Sequence, residues 1–378
     1  MRSVHPPLSP LRQTEVFATE ARSAQLFVRT TAASVEVRVE GRVVTASTVG
    51  GVAIIELDGL DPGCDYRAEI ISEDRQSIGL AQFTTRQDMG SVTARFASIS
   101  DVHLGLDRFG VGRKLSDKGS VPYAMRCARA AIEEATGWGA QLLIVKGDLT
   151  EGGNEDDWLL AEELFADVAI PILFTPGNHD VLANHDVTPH VGAARIGLPF
   201  DAVQIHELDG VRLVIADTSR PSRGTGDLAR HADEILEAVD SATPAFLAFH
   251  HNIQRTPVPW FWPPGISSTN ANPVTRALAE TNPRIFLSSG HTHRNRVHWL
   301  GPERSLPYTE VSSTSDYPGV WAGYEVSTAG IRQTVRRIRS PEALAWTERT
   351  RRVLGGVWPR WSQGRLHDRC VDFVFRQP

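Results

Sequence analysis

Five short segments concentrate the side chains that can bind cations or move protons: Asp101-Val102-His103, Gly147-Asp148, Gly177-Asn178-His179-Asp180, His250-His251 and Gly290-His291-Thr292-His293. Their donors are imidazole nitrogens and carboxylate or amide oxygens, with no thiolate, which favours Zn, Mn, Fe or Co over a structural cysteine site. The candidates Asp101, His103, Asp148, Asn178, His250, His291 and His293 outnumber the needs of one ion. With Asp148 central in the order, they suit two divalent ions about 3.5 to 4 Å apart, the spacing used in two-metal hydrolysis. Gly147, Gly177 and Gly290 stand directly before candidate ligands, where a missing Cβ lets the chain turn sharply. One D-x-H or G-D is ordinarily a turn or a cap; the ordered set carries the weight.

Each segment follows an apolar, strand-like run: 94–100, 142–145, 170–175, 245–249 and 284–288, with further runs at 212–216 and 308–312. Helical periodicity occupies 121–136, 154–169 with Asn154 as N-cap, and 227–239. Strands alternating with helices predict a layered α/β domain over 93–335. Open sheets of this class place their sites beyond the C-terminal ends of strands, where these segments fall.

Residues 21–88 read differently, as short alternating runs parted by Gly41, Gly50-Gly51 and Asp61-Pro62-Gly63, which predicts a small all-β sandwich. The pattern switches at 86–91, the expected joint. Residues 1–20, with Pro6, Pro7 and Pro10, are expected to be a loose lead-in. An Arg- and Trp-rich C-terminal extension, 336–378, carries Trp346, Trp358 and Trp361 and is expected to pack on the body.

Composition narrows the function classes. The 378 residues hold 39 Lys plus Arg against 45 Asp plus Glu, a formal charge of −6, which argues against nucleic acid as a general partner. Charged residues at 22% and hydrophobic ones at 41% exclude disorder as the main theme. Cys64, Cys127 and Cys370 are too few and too scattered for a disulfide framework. With no apolar leader and no 18-residue apolar run, the expectation is a cytoplasmic protein without a membrane partner. A homo-oligomer stays open.

The five segments in order resemble the motif set of the calcineurin-like metallophosphoesterases, over about residues 94–335. Asp101-x-His103 and Gly147-Asp148-Leu149-Thr150 are similar to class III cyclic nucleotide phosphodiesterases. The stretch around Asp61-Pro62-Gly63 and Tyr66 resembles fibronectin type III domains, which purple acid phosphatases also carry before this fold. Those enzymes have a tyrosine three residues after the central aspartate, where this chain has Glu151, so their Fe(III) chemistry is not expected.

The resemblance implies a four-layer α/β/β/α sandwich and two divalent ions, Mn, Fe or Zn. Asp101, His103, Asp148 and His293 would hold one, and Asp148, Asn178, His250 and His291 the other. His179 would be the unligated catalytic histidine, oriented by Asp180. The implied reaction is hydrolysis of a small phosphate ester, a diester or cyclic nucleotide first, by in-line attack of a hydroxide shared between the ions. Phosphomonoesterase, nuclease and a non-catalytic binding protein are the alternatives.

His251 reads as a supporting residue, and His185, His190, His206, His231 and His298 as surface or satisfied core histidines. Arg294 and Asn295 could touch substrate phosphate, and 107–118 could cap the site. Pro257–Pro264, with Trp260-Phe261-Trp262, should form a stiff loop at the metal-bearing edge. Its aromatics either stack on substrate or pack on the β domain, the extension or a second subunit.

Overall fold

The protein is described by a computed structural model over residues 14–110, 115–182 and 187–375. Contacts divide it into two units, one ending at Asp88 and one starting at Met89.

The first unit holds β1 (Thr14–Thr19), β2 (Ser23–Arg29), β3 (Ser34–Val39), β4 (Arg42–Ser47), β5 (Val52–Asp58), β6 (Asp65–Ser72) and β7 (Ser77–Thr84). They form two antiparallel sheets, β1-β2-β5 and β4-β3-β6-β7. Alternation turns Val35, Val37 and Val39 of β3 inward to share a core with Leu26, Ile55 and Tyr66. The Tyr66 hydroxyl accepts the Asp61 N–H at 2.7 Å and pins the turn before its own strand. One expectation is corrected: residues 14–19 pair with β2 and are no loose lead-in.

In the second unit the chain runs β8 (Val92–Ile99), β9 (Arg108–Phe109), β10 (Leu115–Ser116), α1 (Tyr123–Gly137), β11 (Leu143–Lys146), α2 (Glu155–Phe165), β12 (Ile172–Thr175) and α3 (Pro189–Arg195). It continues through β13 (Val203–Leu208), β14 (Val211–Ala216), α4 (Ala232–Val239), β15 (Ala245–Ala248), α5 (Ser268–Thr281), β16 (Ile285–Ser289), β17 (Arg296–Leu300) and β18 (Leu306–Glu310). Last come β19 (Val320–Ser327), β20 (Gly330–Arg337), α6 (Pro341–Thr350), α7 (Trp358–Ser362), α8 (Leu366–Arg369) and β21 (Cys370–Val374).

Two six-stranded sheets result, β12-β11-β8-β19-β20-β21 and β13-β14-β15-β16-β18-β17. Helices α1, α2 and α6 cover the first sheet around Val145, Trp158 and Trp346. Helices α4 and α5 cover the second around Leu247, Val274 and Leu287. Between the sheets Phe96 meets Phe246 and Tyr324, each at 4.8 Å between ring centroids. This is the four-layer arrangement expected; β11, β15 and β16 are buried along their whole length and read as mainly apolar runs for that reason, with Lys146 closing β11 and Ser288-Ser289 closing β16.

Two sequence readings change. Helix α5 lies outside the helices expected from periodicity; Pro273 inside it and the neighbouring asparagines disfavour a helix locally, and Ser267 caps it by accepting the Asn270 N–H. The C-terminal extension does more than pack on the body: β21 is the edge strand of the first sheet, antiparallel to β20. Among the described residues no helix is long and apolar enough to cross a membrane.

Candidate metal centre

The sheet order sets the site. β8 and β11 are adjacent parallel strands, β12 flanks β11, and β15 and β16 are neighbours in the other sheet. Their C-terminal ends deliver 101–103, 148, 178–180, 250–251 and 291–293 to one place. Backbone bonds lock these turns together: Asp101 N donates to Gly147 O at 3.1 Å, His103 N to Asp148 O at 2.9 Å and Gly290 N to His250 O at 3.0 Å.

The turns are strained. Asp101, His103, Asp148, His291 and His293 have φ between 48° and 69°, a region non-glycine residues enter at a cost of order 1 kcal/mol or more each. Five such residues in one cluster mark a place where side-chain direction takes precedence over backbone comfort. Gly147 has φ 78°, and a Cβ at Gly177 would collide with the Asp148 carboxylate, so neither turn tolerates a side chain.

Four imidazoles each commit one nitrogen to the protein and turn the other inward. His103 Nδ1 lies 2.9 Å from Glu151 Oε2, His250 Nδ1 2.8 Å from Lys146 O, His291 Nε2 2.7 Å from Pro264 O and His293 Nδ1 2.5 Å from Asp316 Oδ2. Such partners fix tautomer and ring direction for a metal ligand. The inward nitrogens then face one another. His103 Nε2 is 3.4 Å from His293 Nε2, His250 Nε2 is 3.1 Å from His291 Nδ1, and His250 Nε2 is 3.2 Å from Asn178 Oδ1. Donors sharing an ion at about 2.1 Å stand roughly 3.0 to 3.4 Å apart, so these spacings fit cations.

Carboxylates join the two sets. Asp148 Oδ2 is 3.3 Å from His250 Nε2 and 3.9 Å from His103 Nε2, and Asp101 Oδ1 is 3.4 Å from His293 Nε2. Ligand atoms of Asp101, His103 and His293 lie within 4.8 Å of one another, as do those of Asp101, Asp148 and His250. The electrostatics also call for positive charge. Burial disfavours charged imidazole, yet Asp148 overcomes it and raises His250 to about 9, and Asp316 with Asp101 does the same for His293. His291, buried and next to His250, is pushed down to about 4.

His179 borders the inward set, with a ligand atom within 4.8 Å of those of His103 and Asp148, and is more exposed than His103, His250 or His293. Its Nδ1 is 3.0 Å from Glu151 O and 3.2 Å from Glu151 Oε2, and its side chain is 32% exposed where that of His250 is 0%. Burial is again overcome, here by Asp148 and Glu151, which raise its pKa to about 10.

Several readings are corrected. Asp180, expected to orient His179, accepts instead from the Thr150 N–H at 2.8 Å, the Thr150 hydroxyl at 2.7 Å and the Gly177 N–H at 2.8 Å. It braces the turns, and Glu151 is the carboxylate at His179. Arg294 is occupied by Glu310, at 2.7 and 3.0 Å, and Asn295 Nδ2 by Gln363 O at 3.2 Å, so neither is available to substrate phosphate. His298 is a satisfied core histidine, with Nε2 2.6 Å from Glu310. His251 is buried, its Nδ1 3.0 Å from the Thr218 hydroxyl and its Nε2 without a partner among the described residues, beside His250 and His291. In the 107–118 segment β9 pairs with β10, while 111–114, like His185, lie outside the described residues.

Sequence reasoning missed Lys146, Glu151 as a bridge, and Asp316. Lys146 is buried, with Nζ 2.8 Å from Ser288 Oγ of the other sheet, and burial lowers its pKa to about 7. The one signal in the chain was Glu151, a carboxylate three residues beyond Asp148 in the same turn.

Comparison with known proteins adds a family. Residues 94–295, more than half of the chain, match the sequence model described as calcineurin-like phosphoesterase. The 3′,5′-cyclic adenosine monophosphate phosphodiesterase CpdA of Pseudomonas aeruginosa is 29% identical over 168 residues, 44% of this chain and 58% of that protein. A probable cyclic nucleotide phosphodiesterase of Rhodococcus erythropolis is 30% identical over 131 residues, 31% of this chain and 40% of that protein. The chain thus spans about half the length of these relatives. The solved structure of PhoD is 12% identical, with 89% of each chain covered and a TM-score of 0.45. The matched span holds every segment of the cluster, and the chain belongs to the calcineurin-like phosphoesterase family.

Proposed function

We propose that the protein is a metal-dependent phosphoesterase that hydrolyses a small diester, cyclic nucleotides first. The observation that carries this reading is the pair of donor sets meeting at Asp148, with His179 at their open side. Asp101, His103, Asp148 and His293 would hold one divalent cation; Asp148, Asn178, His250 and His291 would hold the other. When bound, two such cations neutralise phosphate charge and make a water acidic enough to serve as nucleophile near neutral pH.

The chain's own residues do the rest. Glu151 occupies His179 Nδ1 and leaves Nε2 to give its proton to the departing oxygen. The raised pKa of His179 keeps that proton in place at neutral pH. Asp180 holds the turns that carry Asp148 and His179. Glu151→Gln keeps an acceptor but loses the charge, and is expected to lower kcat about tenfold with a smaller change in KM. An unchanged kcat would remove Glu151 from the reaction.

The two phosphodiesterases matched by sequence support a cyclic nucleotide as substrate. The test is a panel of cyclic, linear-diester and monoester phosphates with the Mn-, Fe- or Zn-loaded protein. Cyclic or small diesters should give the highest kcat/KM; a clear preference for monoesters would overturn the diester reading.

The aromatic loop supports an organic group beside the phosphate. Trp260 and Trp262 are 74% and 72% exposed, which packing inside the chain would not leave, and the loop's Pro264 accepts from His291. An exposed aromatic cluster at a site's rim suits stacking on a base. Trp260→Ala or Trp262→Ala should raise KM for a nucleotide about tenfold, or about 1.4 kcal/mol, with Tm unchanged. Unaltered kinetics in both variants would reject stacking.

A further inference from the structure

Of the four inward-facing imidazoles, two take their orientation from residues beside the motif turns, one from the aromatic loop and one from the segment between β18 and β19. His250 leans on the Lys146 carbonyl, His291 on that of Pro264 and His103 on Glu151. His293 leans on Asp316, a fully buried carboxylate in the 311–319 segment between β18 and β19. The second oxygen of Asp316, Oδ1, accepts the indole N–H of Trp358 at 2.9 Å. Trp358 belongs to α7, far along the C-terminal extension and outside the 94–295 family match.

We propose that the C-terminal extension is part of the metal centre's scaffold: Trp358 fixes Asp316, and Asp316 fixes His293 so that Nε2 faces its cation. This rests on the reading of His293 as a ligand. A carboxylate anchored through one oxygen only can swing; a donor on each oxygen sets its plane, and with it the imidazole bonded to it. Trp358 is therefore a positioning residue for the ligand, reached through Asp316.

The extension grips both stretches that meet at this point. Trp361 Nε1 donates to Thr292 O at 2.9 Å, and Asn295 N donates to Ser362 O at 2.9 Å, on either side of His293. Trp346 Nε1 donates to Ser315 O at 2.9 Å, and Tyr317 N to the Thr350 hydroxyl at 2.8 Å, on either side of Asp316. The guanidinium of Arg294 lies 4.4 Å over the Trp361 ring. These contacts hold His293 at its φ of 50°, a conformation the local sequence does not favour.

The consequence is asymmetric. Only the cation held by His293 depends on the relay, because His250 and His291 are oriented by backbone carbonyls elsewhere. The experiment is calorimetric titration of metal-free full-length protein with Mn²⁺, alongside Trp358→Phe, Asp316→Asn and His293→Ala. Trp358→Phe, which keeps an aromatic ring and removes the N–H, should weaken one site about tenfold and leave the other unchanged, with the metal-free Tm preserved. Asp316→Asn should weaken the same site by about 10- to 100-fold, the range found when a metal ligand loses its supporting carboxylate. Wild-type affinity at both sites in Trp358→Phe and Asp316→Asn would overturn the relay. So would equal weakening of both sites with a lowered metal-free Tm, which would make the extension a plain stabiliser. His293→Ala separates the two failures: two intact sites in that variant would sink the ligand reading itself. One lost site in His293→Ala, with both relay variants unaffected, would sink only the relay.

Discussion

Asp148→Ala is expected to strip metal from the protein and abolish phosphoester turnover, a loss of at least about 10³-fold, or about 4 kcal/mol. Asp148 is the residue on which both donor sets converge. Its Oδ2 lies 3.3 Å from His250 Nε2 and 3.9 Å from His103 Nε2, and its Oδ1 accepts the His179 N–H at 2.8 Å. Removing it would take shared negative charge from the two proposed cations at once and free the turn that carries His179. It also leaves His250 and His179 without the carboxylate that outweighs their burial. Asp148→Asn, which preserves the volume, separates charge from packing and should lose metal as well. Metal analysis after desalting is the measurement. A content close to that of the wild type in both variants would remove Asp148 from the centre.

The second large effect is opposite in kind. His179→Ala should retain its metals and lose about 10² to 10⁴ in kcat, with little change in KM, because proton donation matters only as the bond breaks. The geometry motivates this separation. His179 Nδ1 is tied to Glu151, its ring stands edge-on to His103 at 4.7 Å, and its side chain is 32% exposed against 7% for His103, so it sits on the solvent side of the donor set. A leaving group that departs without a proton, such as a nitrophenolate, should recover most of the lost rate. Equal losses on alkyl and nitrophenyl esters would argue that His179 binds phosphate instead of donating a proton. Loss of metal in this variant would place it among the ligands.

The turns that carry the candidate ligands were legible because each is a local event. A strand followed by Gly-Asp or by Gly-His-Thr-His is written in adjacent residues, and the change from period-two runs to strand–helix alternation is visible within a few turns of chain. The two-sheet core was implied by the family resemblance and not by any one segment; β15, covered on both faces, is apolar throughout, while β11 and β16 end in Lys146 and in Ser288-Ser289.

Helix α5 was hidden by Pro273, whose local preference is outweighed by burial of Ala271, Val274 and Leu278 against the second sheet. The role given to Asp180 failed for a related reason. Adjacency to His179 in the chain suggested a partnership, but in this turn the carboxylate points at the backbone of Leu149, Thr150 and Gly177. The sequence by itself determined which side chains could hold metal, and at which strand ends. Only the tertiary structure decided which groups aim them. Glu151 reaches His103 across 48 positions, Asp316 reaches His293 across 23, and Trp358 reaches Asp316 across 42. Such pairings depend on strand order and on the path of the C-terminal extension, and no periodicity within a single segment encodes them.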